Sequence, residues 1–143
     1  MSSGIFSINN NVGIFPMCGD LLHPGHIKAI RDAKAQCNKL IICLNCKKEQ
    51  EEKTLVQSVF ERWYQLEALP EVSQIIPYES ENDLTELIML IPHQVRFVGS
   101  DYKNGEFTGQ EYEKDKGVKI VYLDRELGLS TSGLISRVKR LSE

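Results

Sequence analysis

The segment Lys39-Leu40-Ile41-Ile42-Cys43-Leu44-Asn45-Cys46 constrains this chain more than any other. Successive residues of a strand point to opposite faces, so an unbroken apolar run presents apolar groups above and below. Such a strand must be covered on both sides, as in the middle of a parallel sheet sandwiched by helices. The flanking sequence agrees. Val12–Cys18 is predicted as a strand despite Pro16, which removes a ladder hydrogen bond. Gln74–Pro77, Gln94–Val98 and Val118–Leu123 are predicted as further strands. Between them, apolar residues recur at helical spacing within Pro24–Cys37, Ser58–Leu69, Asn82–Ile91 and Ser130–Leu141. Pro70 and Pro92 stop the second and third of these helices. Lys47–Lys53 is all charge and Gln and is predicted as a mobile loop. The alternation predicts an α/β fold: a single-domain, Rossmann-like parallel sheet flanked by helices over residues 12–143, after a flexible lead-in at 1–11.

A length of 143 residues suits one domain with a real core. The net charge of −3 and pI near 5.7 argue against general binding of nucleic acid or anionic membrane, which needs a basic face. No apolar stretch approaches the ~20 residues that span a bilayer, and no basic-then-apolar leader opens the chain, so the expected location is cytoplasmic. Cys18, Cys37, Cys43 and Cys46 are read as reduced thiols. Cys43 and Cys46 form a C-x-x-C, but three residues apart on a strand they face opposite ways, so no metal site is expected.

Chemistry concentrates at His23-Pro24-Gly25-His26, behind the first predicted strand and at the start of the first predicted helix. Two imidazoles three residues apart share a helix face, beside backbone N–H groups that the helix leaves unpaired. The helix dipole adds partial positive charge, and Gly25 lets the backbone approach a ligand, so the position suits phosphate. A pair of capping or buried histidines is the plainer alternative. Ser130, Thr131 and Ser132 give a second hydroxyl-rich helix start, which read alone is a capped helix.

Taken together, Asp20-Leu21-Leu22-His23-Pro24-Gly25-His26 and Arg125-Glu126-Leu127-Gly128-Leu129-Ser130-Thr131-Ser132 resemble the two signature blocks of the H-x-G-H nucleotidyltransferase superfamily. The likeness is to its small cytidylyltransferases, of the glycerol-3-phosphate cytidylyltransferase type, and extends over roughly residues 12–141. It implies transfer of CMP from CTP, with Mg²⁺ accompanying the triphosphate, to a small phosphorylated polyol such as glycerol 3-phosphate, releasing pyrophosphate. His23, His26 and Arg125 would be catalytic. Cys18, Gly19, Asp20, Gly25, Asp101, Gly128, Leu129, Ser130, Thr131 and Ser132 would bind nucleotide, and Lys47, Lys53 and Arg62 the second substrate. A solvent-facing helix Arg is the alternative for Arg62, a turn-forming Asp for Asp101, and a solvated loop for the lysines. The related adenylyltransferases acting on heptose 1-phosphate share the serine-threonine turn but generally lack the arginine. Relatives of this type are usually homodimers, with Trp63 and Tyr64 as candidate interface residues. Met17-Cys18-Gly19-Asp20 departs from the family's G-T-F-D, which keeps open a non-catalytic nucleotide sensor.

Overall fold

The computed structural model describes residues 11–47, 49–50, 53–99, 105–124 and 130–143. Five strands, β1 (Val12–Met17), β2 (Lys39–Asn45), β5 (Gln74–Tyr78), β6 (Val95–Gly99) and β7 (Lys119–Leu123), form a sheet in the order β5-β2-β1-β6-β7. Every pairing in it is parallel. The helices are α1 (Pro24–Lys34), α2 (Val59–Glu67), α3 (Glu81–Leu90), α4 (Gln110–Asp115) and α5 (Thr131–Leu141).

β2 is covered on both faces, as its sequence requires. Leu40, Ile42 and Leu44 enter a core with Phe15, Ile30, Ala33, Leu66 and Phe97, which puts α1 and α2 on that side. Ile41 and Cys43 enter a second core with Ile14, Tyr78, Leu84 and Ile88, which puts α3 on the other. Chain order runs outward from β1 through β2 to β5 and then returns to β6 on the opposite side of β1. The reversal leaves a crevice beyond the carboxyl ends of β1 and β6, where ligands of open α/β sheets bind.

Pro16 lies within β1 in the middle of the sheet, yet the pairing of β1 with β6 ends at Ile14 opposite Arg96. At Pro16 only β2 is paired, an edge-like position that tolerates a missing N–H. Gly13 is needed for packing: a Cβ there would sit 2.5 Å from the Phe97 ring and 2.9 Å from Cys37 Sγ.

Several expectations are corrected. The first helix ends at Lys34, with Ala35 as C-cap, three residues short of Cys37. The predicted loop at Lys47–Lys53 contains β3 (Glu49–Gln50) and pairs antiparallel with β4 (Lys53–Thr54). α4 has no counterpart in the periodicity. Cys46 lies just past the end of β2, its Sγ 3.5 Å from the Leu44 carbonyl, while Cys43 is fully buried; all four cysteines are free thiols. The lead-in lies outside the described residues except for Asn11, whose carbonyl accepts from Asn38 and Lys39 N–H.

Candidate active site

β1 delivers the chain to the crevice, and α1 starts there. His23 is the N-cap of α1 in extended conformation, with Pro24 in the first turn, where its missing N–H costs nothing. The cap is made of imidazoles. Gly25 N–H donates to His23 Nδ1 at 3.0 Å, and His23 N–H donates to His26 Nδ1 at 3.2 Å. The rings lie 4.0 Å apart between centroids, and His23 is buried. An imidazole nitrogen that accepts a hydrogen bond carries no proton, so this network assigns the proton of each neutral ring to Nε2. The capping reading holds, and the cap fixes a tautomer with a donor at Nε2.

The approach to this cap is strained. Gly19 and Leu21 both have left-handed backbone, φ 64° and 51°, and for Leu21 that conformation costs on the order of 1–2 kcal/mol. Bonds to distant segments hold it. Leu21 N–H donates to Gln57 Oε1 at 2.7 Å. The buried Asp20 carboxylate accepts from Val56 N–H at 3.0 Å and from Gln57 N–H at 2.9 Å.

α5 brings the second helix start to the same place. Ser130 is its N-cap, Oγ accepting from Gly133 N–H at 3.0 Å. Thr131 Oγ1 donates to the Asp20 carbonyl at 2.9 Å, across 111 residues of sequence. The hydroxyl-bearing helix start thus touches the turn that leads into the histidine pair. Two helix N-termini meeting at one crevice present main-chain donors and dipole to a polyanion. Ser132 is exposed at the same helix start.

Arg62 is the largest departure from expectation. It is 1% exposed, so the solvent-facing alternative fails, and its Nη1 donates to Cys18 O at 2.7 Å and Asn45 O at 2.6 Å. The guanidinium ties together the carboxyl ends of β1 and β2, while Nε is buried without a partner among the described residues. Burial pushes the neighbouring Cys18 thiol above its usual pKa, with the Arg62 charge opposing. Lys47 is exposed just past β2, its N–H donating to Asn45 Oδ1 at 2.9 Å. The side chain of Lys53, together with Asp101, Arg125, Gly128 and Leu129, lies outside the described residues.

Among the described residues no three His, Cys, Asp or Glu side chains gather as a metal cage. Both Asp20 oxygens are occupied by main-chain donors.

A parallel sheet with a switch point, an H-P-G-H helix cap and a Ser-Thr helix start bonded to the turn before it make an α/β domain of the nucleotidyltransferase type. The chain matches the family model described as cytidylyltransferase-like over residues 14–137 and belongs to that family. It is 33% identical over 130 residues to the bifunctional protein HldE of Nitrobacter winogradskyi, covering 88% of this chain and 26% of that one. The chain thus spans about a quarter of the length of the curated relatives it matches. Among solved structures, the lipopolysaccharide core biosynthesis protein of Thermoplasma volcanium aligns over 79% of this chain and 95% of its own, with TM-score 0.65 and 19% identity. Pantothenate synthetase of Thermus thermophilus aligns over 81% and 56%, with TM-score 0.56 and 15% identity. The two structures share the fold.

Proposed function

We propose that this protein transfers a nucleotidyl group from a nucleoside triphosphate to a sugar phosphate, with ATP and a heptose 1-phosphate as the favoured pair. The carrying observation is the Thr131 hydrogen bond to the Asp20 carbonyl, which joins the start of α5 to the turn that leads into α1. An acceptor phosphate oxygen attacks the α-phosphorus and forms a new P–O–P anhydride, while the bond from the α-phosphorus to the bridging oxygen breaks and pyrophosphate leaves. The attacking group is already anionic near pH 7, so the site needs alignment and charge stabilisation more than a strong base. His23 and His26, with protons at Nε2, are suited to donate to the phosphates as charge builds. The Ser130 hydroxyl and the main-chain N–H groups at the α5 N-terminus are suited to the leaving pyrophosphate, while the Thr131 hydroxyl proton is engaged with the Asp20 carbonyl.

The choice of ATP and a heptose phosphate over CTP and a polyol phosphate rests on the similarity to HldE proteins. CTP with glycerol 3-phosphate is the second reading, favoured by Arg125 at the head of the serine-threonine block. Pyrophosphate release measured with each triphosphate against heptose 1-phosphate and glycerol 3-phosphate separates them. Nucleotide binding without release from any pair would leave a binding module instead.

A cytoplasmic location is part of this reading; no described helix is long and apolar enough to cross a membrane. So is a homodimer through α2, where Phe60 and Tyr64 are 73% and 67% exposed with rings 5.8 Å apart. Trp63 instead packs partly against the core. Sedimentation of the wild type and Tyr64→Glu tests the dimer.

A further inference from the structure

Residues 20 and 21 hold together three segments that are distant in sequence. The Asp20 carboxylate accepts from the N–H groups of Val56 and Gln57, and the Leu21 N–H donates to the Gln57 side-chain oxygen. The Asp20 carbonyl takes the Thr131 hydroxyl. One side is the connection from β4 to α2, which follows the β3–β4 pair; the other is the start of α5. A carboxylate offers only acceptors, and a triphosphate offers the same, so Asp20 is poorly suited to touch phosphate directly. Its position at 6% exposure, with each oxygen on a main-chain donor, suits a fixed internal anchor. The left-handed backbone at Gly19 and Leu21 is the geometry that turns this carboxylate toward 56–57 while its carbonyl faces Thr131.

We propose that Asp20 is a positioning residue, which latches the β4–α2 connection to the histidine-bearing turn and so sets the acceptor side of the cleft relative to the nucleotide side. The inference rests on the nucleotidyltransferase reading for the meaning of "acceptor side", but the latch itself is independent of turnover. Asp20→Asn replaces one acceptor oxygen with an NH₂ group that opposes a main-chain N–H, and leaves the carbonyl to Thr131 intact.

The test combines hydrogen exchange with steady-state kinetics. In Asp20→Asn the Val56 and Gln57 amides should exchange about tenfold faster, the scale of one charge-assisted hydrogen bond. KM for the acceptor the wild type turns over should rise about tenfold, with a smaller fall in kcat. The Kd of α,β-methylene-ATP or its CTP counterpart, by calorimetry, should stay within about twofold, because the α1 and α5 helix starts are untouched. Gln57→Leu removes the other arm and leaves the Asp20 bonds in place, so 56–57 exchange and acceptor KM should rise in the same direction by smaller factors, about threefold; it carries the test if Asp20→Asn fails to fold. Weakened analogue binding with the 56–57 amides still protected would overturn the proposal, as would unchanged exchange and unchanged KM. If the wild type uses no acceptor, the functional reading falls, and exchange alone decides the latch.

Discussion

At the scale of single residues, the cap of α1 gives His26 two roles that can be measured separately. Its Nδ1 accepts from His23 N–H, so His26→Ala should lower stability by about 1 kcal/mol, the usual worth of a capping contact. Its Nε2–H is the proposed donor to the reacting phosphates, so the same change should cost ~3 kcal/mol of transition-state stabilisation, about a hundredfold in kcat/KM. His26→Gln keeps a side-chain acceptor for the cap and should recover stability more than rate, a split readable from thermal unfolding beside pyrophosphate release. Arg62 is different, because its bonds go to main-chain carbonyls at two strand ends. Arg62→Met fills the volume but orphans both carbonyls, each worth about 1–3 kcal/mol, so urea unfolding should show a loss of about 2–5 kcal/mol. The place of the histidine pair was legible because Pro24 and Gly25 after a predicted strand mark a helix start. The contacts of Arg62 and Asp20 were not, since their partners are backbone groups from other elements, which leave no mark in a sequence.

Elements were legible where burial wrote a period into them. Leu40–Leu44 and the apolar stripes of α1, α2 and α3 reflect a sheet covered on two sides, and the structure moves their ends by a few residues. β3 and β4 escaped because two polar residues each carry no apolar stripe in the sequence. α4 escaped for another reason: its buried residue is Glu113, held by Arg96 Nη1 at 2.8 Å and His93 Nε2 at 2.6 Å, so an ionic contact does what an apolar face does elsewhere. Close packing between elements also yields a prediction at Gly13. Alanine there would drive a methyl into Phe97 and Cys37, where the ring cannot retreat from a core shared with Phe15. Overpacking of this kind costs about 1–3 kcal/mol, so Gly13→Ala should lower the Tm by several degrees while leaving nucleotide affinity unaffected.

At the scale of the whole molecule, the second core carries charge as well as hydrocarbon. The Arg96 guanidinium, on the central side of the sheet from β7, donates to Thr108 O and Glu113 and stacks 4.7 Å from the Phe107 ring centroid. His93 Nδ1 lies 2.6 Å from Ile91 O, so the imidazole joins the end of α3 to α4 through Glu113. Glu113→Leu would leave Arg96 buried without its carboxylate, a loss of about 3–5 kcal/mol that should appear as an early unfolding transition.

Cys43 lies in this same core, and burial pushes its thiol up to about 12, with the Arg96 charge opposing and Glu113 adding. The sign of the resulting pH dependence follows from proton counting. Below about pH 9 the thiol is protonated in both folded and unfolded chains and its contribution is whole; above that the unfolded chain loses the proton first, so stability drains away as pH climbs toward 12. The slope for one such thiol is about 1.4 kcal/mol per pH unit, giving a loss on the order of 2–3 kcal/mol between pH 9 and 11. Cys43→Ala opens a small cavity and lowers stability at neutral pH, but it also removes the titrating group. Denaturant unfolding at pH 8, 9.5 and 11 should therefore give converging stabilities for wild type and variant as the pH rises. Parallel curves would mean that the alkaline loss belongs to other groups of the core, Tyr78 foremost, whose phenol burial also pushes up.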